Sequence, residues 1–373
     1  MVVNRVKKIL YMGCYIDNLN RNAIFLEGLK NNAVSVYEYN VISHNIIQNI
    51  RLFFKNYKKL KSENFDLILF HSEVFIQFIL AVILARIKNI PLIHDIFISK
   101  LQTIYEDRKL YNFKRRKMPK LLFRILLFTI DLIECTFADY IILDTYSHIK
   151  FFHEKFNTPI KKFRRIFVGS QNSVFFPIPK EKKDESKFIV GFCGTYIQLQ
   201  GIKYIIKSAK ILKNENQIKF VLIGNGQTFN ENRNLARELK LTNIEFIDFV
   251  PLVDLPRLKS NFDIELGIFG DTDKTLQVIP NKVFDGIAMK FPMITCDSPA
   301  IRELFTDNEN IILCNRADPE SLARAIMKLK HDPDLRQKIR KNAFEIYNKY
   351  CSIEAIGKKL LRTLNKILLK NKN

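Results

Sequence analysis

Three short stretches carry residue types and spacings suited to binding an anion. Gly194 to Gly201 reads GTYIQLQG, between an apolar run and a helical pattern. Glycines there let backbone N–H groups approach a phosphate, and the helix N-terminus adds partial positive charge. Gly224-Asn225-Gly226 ends the next apolar run, and Pro280-Asn281-Lys282 opens another helix with Asp285 one turn inside. Proline suits a first helical turn because its missing N–H would have no partner there. A carboxylate at position 285 has the reach to accept both hydroxyls of a ribose. Each stretch also has a plain reading: glycines at strand ends make turns, and an acidic residue near a helix start is stabilised by the dipole. The glycine stretch is neither the dinucleotide fingerprint nor the lysine-ended P-loop. A fourth candidate is His94-Asp95, ending a short apolar run. Histidine donates to hydroxyl or phosphate oxygens near neutral pH, although a histidine at a strand end is often structural.

The elements that position these residues alternate. Apolar runs at 7–13, 34–39, 65–70, 91–94 and 140–143 predict strands. Helical patterns at 18–30, 45–59, 75–88, 121–138 and 147–156 lie between them. A short strand is expected at 164–168. The second half repeats the scheme, with strands at 188–194, 219–224, 244–247, 292–295 and 310–313, and one ending at Gly267. Helices are expected at 202–212, 231–239, from Pro280 to Lys290, at 319–330, at 333–348 and at 352–369. This order is that of two open parallel α/β sheets, where ligands sit beyond the carboxyl ends of the strands. A proline-containing, charged stretch at 174–185 breaks the pattern and is read as a linker. The boundaries drawn are 1–173, a linker at 174–187, 188–351, and a final helical segment at 352–373.

Composition narrows the classes. The chain has 373 residues, 47% apolar and 26% charged, which supports a large core and two domains. Net charge is +22. That charge fits anionic substrates, an anionic membrane surface or nucleic acid. No aromatic-interleaved basic motif accompanies it, so a nucleic-acid partner is not expected. The six cysteines are scattered, without metal-type spacing, and suit a reducing cytosol. The start MVVNRVKKILYMG lacks a cleavable signal pattern, and a cytoplasmic location is expected. No apolar run reaches the length of a spanning helix. The basic tract 109–120, with KRRK at 114–117, precedes the apolar helix 121–135. That pairing suits an interfacial membrane contact, or simply a solvated loop before a core helix.

Read from Asp263 to Leu304, the chain resembles the retaining glycosyltransferases of family 4. The resemblance lies in Pro280-Asn281-Lys282 and its helix, running to Pro292, and in Ser298-Pro299-Ala300-Ile301-Arg302-Glu303-Leu304. It extends through Gly194–Gly201, Gly224–Gly226 and Val250, and more weakly through Gly13, His94-Asp95 and 167–169. It implies the GT-B fold: two Rossmann-like domains facing across a cleft, with the last helix crossing back to the first domain. It also implies a nucleotide-sugar donor as substrate, no cofactor and no metal, and transfer with retention to a saccharide or lipid-linked acceptor of the cell envelope. By that resemblance His94 contacts the donor sugar, Lys282 the diphosphate, Gln277 the sugar hydroxyls and Asp285 the ribose. Gly13, Gly194, Thr195, Gln200, Gly224, Val250, Pro280 and Asn281 line the nucleotide-sugar site. The chain departs from the family where basic residues are usual: Thr195 and Gln200 are neutral. Gln277 likewise stands where the family has Glu. Lys282, with Lys203 or Lys274, is the expected replacement cation. The alternative implied by these departures is a non-catalytic binding or scaffold protein on the same fold.

Overall fold

A computed structural model describes residues 6–15, 20–112, 118–179 and 186–370. The sequence tract KRRK at 114–117 lies outside the described residues, as does 180–185 of the expected linker. The chain forms two compact units. Unit 1 is 1–168 with 353–373, and unit 2 is 169–352.

Unit 1 alternates strands and helices: β1 Lys8–Gly13, α1 Asn20–Lys30, β2 Ser35–Asn40, α2 Ile46–Ser62, β3 Leu67–His71, α3 Phe75–Lys88, β4 Leu92–Asp95, α4 Lys120–Phe137, β5 Tyr140–Leu143, α5 Tyr146–Phe156 and β6 Phe163–Arg165. All six strands are parallel, in the order β2-β1-β3-β4-β5-β6. The runs of the inner strands β1, β3, β4 and β5 are buried on both faces, as the interior of a parallel sheet requires, while edge strand β2 is half exposed. Side chains of α2, α3, α4 and α5 share one core with Leu10, Phe70, Leu92 and Ile141. The described part of the stretch between β4 and α4 is not a plain loop. Leu101–Asp107 is a π-helical segment and Leu110–Asn112 a 3₁₀ turn.

Unit 2 runs β7 Phe188–Cys193, α6 Ile202–Ile211, β8 Ile218–Ile223, α7 Phe229–Glu238, β9 Ile244–Ile247, α8 Leu255–Lys259, β10 Ile264–Leu266, α9 Asn281–Ala288, β11 Met293–Cys296, β12 Ile312–Cys314, α10 Pro319–His331 and α11 Pro333–Ile346. Its six strands are also parallel, ordered β12-β11-β10-β7-β8-β9. Asp318 caps α10 by accepting from the N–H groups of Glu320 and Ser321, the expected role for Asp at a helix start. The last helix, α12 Ile353–Lys370, returns to unit 1 and packs on α1. The crossing is close because both helices carry glycine there. A Cβ on Gly28 would lie 2.7 Å from the Gly357 Cα. Among the described residues no helix is long and apolar enough to cross a membrane.

Candidate active site

In unit 2, Gly194, Gln200, Gly224 and Lys282 come together at the carboxyl ends of β7, β8 and β10. The loop after β7 turns through Gln198–Gln200, and Gly201 enters the left-handed region (φ 67°) before α6 begins. Its two neighbours hold it. Tyr196 N–H donates to the Asn225 carbonyl (2.9 Å), and Phe269 N–H donates to the Gln200 carbonyl (3.1 Å). Gly224 must be glycine: its φ is 126°, and a Cβ would lie 2.2 Å from the Gly194 carbonyl oxygen.

Lys282, in the first turn of α9, reaches into this loop. Its Nζ donates to Gln200 Oε1 and lies 3.6 Å from the centre of the Phe192 ring. A Cβ on Gly194 would sit 2.6 Å from that Nζ, so glycine leaves the space the ammonium occupies. Burial pushes the Lys282 ammonium down to about 7, against the pull of Cys193, Glu265 and Asp285. The other two expected cations are placed differently. Lys203 pairs with Asp271 at 3.1 Å, and Lys274 is buried in the 3₁₀ turn Asp273–Leu276.

Asp285 lies one turn further along α9 and is 9% exposed. Its Oδ1 accepts from the Ser170 hydroxyl at 2.6 Å. Burial pushes its carboxyl up to about 7, although the Lys259 charge and the Ser170 hydrogen bond oppose this. Behind it, Lys259 and Glu265 form an ion pair at 2.9 Å with neither side chain exposed beyond 2%. No motif pointed to this pair. Burial pulls the Lys259 ammonium down, yet Glu265, Cys193 and Asp285 together leave it above the ordinary lysine value. Glu265 is raised by burial, with Lys259 opposing.

Pro280 caps α9 and Asn281 is its first residue. Gln277 follows the 3₁₀ turn, half-buried. Thr195 is exposed on the glycine loop, and Val250 lies beyond β9, two strands from β7.

In unit 1, His94 lies one residue inside the end of its strand. Strand β4 continues through Asp95, and alternation then directs His94 into the core with Leu92. Its ring packs against Phe70 and Phe78, each at 5.0 Å between centroids, and the residue is 1% exposed. Burial, with Lys100 and His71 adding to it, holds its value well below that of ordinary histidine. The histidine at the sheet's carboxyl edge is His71, the last residue of β3. Its Nδ1 lies 2.9 Å from Asp95 Oδ2, and its side chain is 13% exposed. Arg21 Nε donates to both Asp95 oxygens at 2.8 and 2.9 Å. Burial pushes Asp95 up, but Arg21 and His71 outweigh it and bring the carboxyl down to about 2. The sequence held a signal for His71, since it directly follows the apolar run FDLILF. Gly13 pairs with His71 in register, and a Cβ there would overlap the His71 carbonyl oxygen at 1.8 Å. Close strand packing therefore requires that glycine.

Among the described residues no group of three or more His, Cys, Asp or Glu side chains is placed to hold a metal ion. A cavity of about 620 Å³ in unit 1 lies at the opposite edge of the sheet, by Pro91 and Tyr140, and touches none of the predicted residues.

Residues 176–346 match the family described as Glycosyl transferases group 1. An uncharacterized glycosyltransferase of Methanocaldococcus jannaschii, MJ1069, is 24% identical over 84% of this chain and 80% of its own. An uncharacterized glycosyltransferase of Haemophilus influenzae is 24% identical over 54% of each chain, so the match spans about half of that relative. In structure, Anabaena HepE, solved with UDP and glucose, superposes with a TM-score of 0.70 at 14% identity, covering 96% of this chain and all of its own. The two parallel six-stranded units have the fold of GT-B glycosyltransferases.

Proposed function

We propose that this protein transfers a sugar from a nucleotide diphosphate donor, with retention and without a bound metal; the match of residues 176–346 to Glycosyl transferases group 1 supports the reading. The observation that carries the reading is the position of Lys282. Its Nζ sits in the space left by Gly194, beside the N-terminus of a helix and against a glycine-rich loop. A cation there meets a diphosphate where basic residues at 195 and 200 are absent, and stabilises it as a leaving group. Asp285 holds the ribose through Oδ2, since Oδ1 is engaged by Ser170. Gln277 meets sugar hydroxyls. Gly194, Thr195, Gln200, Gly224, Val250, Pro280 and Asn281 line the donor site. UDP is the first nucleotide to test, because HepE was solved with it.

On unit 1 the reading replaces His94 with His71. Its imidazole is oriented by Asp95, and its Nε2 makes no hydrogen bond among the described residues. That nitrogen accepts from a hydroxyl of the saccharide or lipid-linked acceptor. The acceptor belongs to the cell envelope and is met at the cytoplasmic face of an anionic membrane.

The test is thermal unfolding with UDP-, GDP- and ADP-sugars, on wild type and Lys282→Ala. A ligand that binds only the folded state raises the midpoint by mass action. A rise with one nucleotide class, lost in the variant, is expected. No rise with any of them overturns the reading in favour of a non-catalytic protein on this fold.

A further inference from the structure

Helices α2, α3 and α4 lie side by side over one face of the unit 1 sheet. Their inner stripes fill the core, and their outer surface is without carboxylates. Residues 46–62 and 75–88 contain no Asp or Glu. In α4 the two acids are both buried. Asp131 accepts from the Ser99 hydroxyl (2.6 Å) and from the N–H groups of Lys100 and Leu101 (2.9 Å each). Glu134 holds the Lys100 ammonium at 2.6 and 2.7 Å. Exposed cations remain: Arg51 and Lys55 on α2, Lys120 and Arg124 on α4.

Between these cations stand large apolar side chains in water. Ile47 is 77% exposed, Phe54 66%, Leu121 63%, Leu122 54% and Ile125 51%. The last three are not scattered singly. Leu121, Leu122 and Ile125 occupy the first two turns of one helix. In a parallel sheet each crossover helix starts at the carboxyl edge of the strands, so Ile47 and Leu121 lie toward the same edge as His71 and Asp95. A contiguous apolar patch on a soluble protein marks an interaction surface. A helix face that mixes Lys and Arg with bulky aliphatics, without acids, is suited to the headgroup boundary of a bilayer. The absence of acids argues for a partner of uniform negative charge, and aliphatic side chains fit acyl chains better than they stack on bases.

We propose that the outer face of α2–α4 is a docking surface for an anionic lipid bilayer, with Leu121, Leu122 and Ile125 entering the interface and the neighbouring cations meeting headgroup phosphates. This deepens the membrane part of the reading above and stands apart from its chemistry. The chain has no tryptophan, so Leu122→Trp supplies a single reporter. With phosphatidylcholine vesicles containing phosphatidylglycerol, its emission is expected to shift to the blue, and wild-type protein to float with the vesicles. With phosphatidylcholine alone neither is expected. Leu121→Glu/Ile125→Glu and Lys120→Glu/Arg124→Glu each lower the bound fraction about tenfold. All four positions are exposed, so unfolding midpoints stay at the wild-type value. No blue shift, equal binding to both vesicle types, or full binding by either double variant overturns the proposal. The thermal shift with nucleotide sugars is measured on the same variants. If it persists while vesicle binding fails, docking is wrong and donor binding stands. If the shift is absent while vesicle binding holds, the converse applies.

Discussion

Lys282 donates to Gln200 Oε1, so the ammonium of one helix start is held by the neutral side chain of the opposing glycine loop. The lysine has been pushed down to about 7 by burial, and Gln200 brings it no charge. An anion delivered to this point completes the site electrostatically.

Donor binding is therefore expected to take up a proton. Near pH 8 much of the Lys282 population is neutral, and a diphosphate beside it favours the charged form. Titration calorimetry in buffers of different ionisation enthalpy would reveal the uptake, which Lys282→Met should abolish while weakening binding roughly tenfold to a hundredfold. A buffer-independent heat in the wild type would rule this out. In stability terms the folded value lies below the ordinary 10.5. Lys282 then costs stability as pH falls through about 10 toward 7, because only the unfolded chain binds the proton.

Asp285 has the opposite slope over a different window. Its folded value, about 7, lies above the ordinary 3.8. Between the two the native carboxyl keeps a proton that the unfolded chain has released. The stability it contributes is full at about pH 4 and is lost as pH rises through about 7. Asp285→Asn removes that dependence. Melting midpoints of wild type and variant, compared at pH 5 and at pH 7.5, should move in the variant's favour by several degrees at the higher pH. Parallel midpoint curves would refute the shift.

The alternation of strands and helices was legible because parallel strands buried on both faces read as short apolar runs. Helix α3 and strands β5 and β9 have the bounds their patterns indicate. What escaped lacks a local signal. Helix α8 is barely more than one turn, too short for periodicity to show. The π-helical segment at 101–107 buries Gln102, Thr103 and Asp107 beside Leu101, so polarity hides its inward face. His94 and His71 were separated only by where β3 and β4 end. His94 lies one residue inside the end of β4 and on the face of Leu92, whereas His71 is the last residue of β3. Lys282 could be singled out from its place at a helix start, but its target, Gln200, lies 82 residues away. The carboxylates and cations beneath it could not be paired without the sheet.

The Lys259–Glu265 pair is predicted to be indispensable singly and dispensable together. Gly286 leaves room for it, since a Cβ there would lie 2.8 Å from Glu265 Oε2. Lys259→Met strands a buried carboxylate and should cost roughly 3–5 kcal/mol. Adding Glu265→Leu removes the stranded charge, and most of that loss should return. Chemical denaturation of the two single variants and the double variant measures the coupling. A double variant as unstable as the sum of the singles would show that the two residues act independently.

His71 and His94 give the sharpest contrast on unit 1. His71 is oriented by Asp95, whose carboxyl at about 2 stays ionised, and its Nε2 makes no hydrogen bond among the described residues. The stability Asp95 contributes is present above the ordinary 3.8 and lost only as pH falls through about 2. Asp95→Asn leaves Arg21, 3% exposed, without its counter-charge and should destabilise the fold by several kcal/mol. His71→Ala keeps the Arg21–Asp95 pair, so its midpoint should stay near wild type and its donor-induced thermal shift should be intact. Nucleotide release on turnover should nevertheless fall about a hundredfold, within the range for loss of a side chain that handles a reacting hydroxyl. His94→Leu, an apolar replacement between Phe70 and Phe78, should leave turnover nearly unchanged. Steady-state rates of nucleotide release on the two variants decide between the histidines. If His94→Leu loses turnover and His71→Ala retains it, the roles assigned here are reversed.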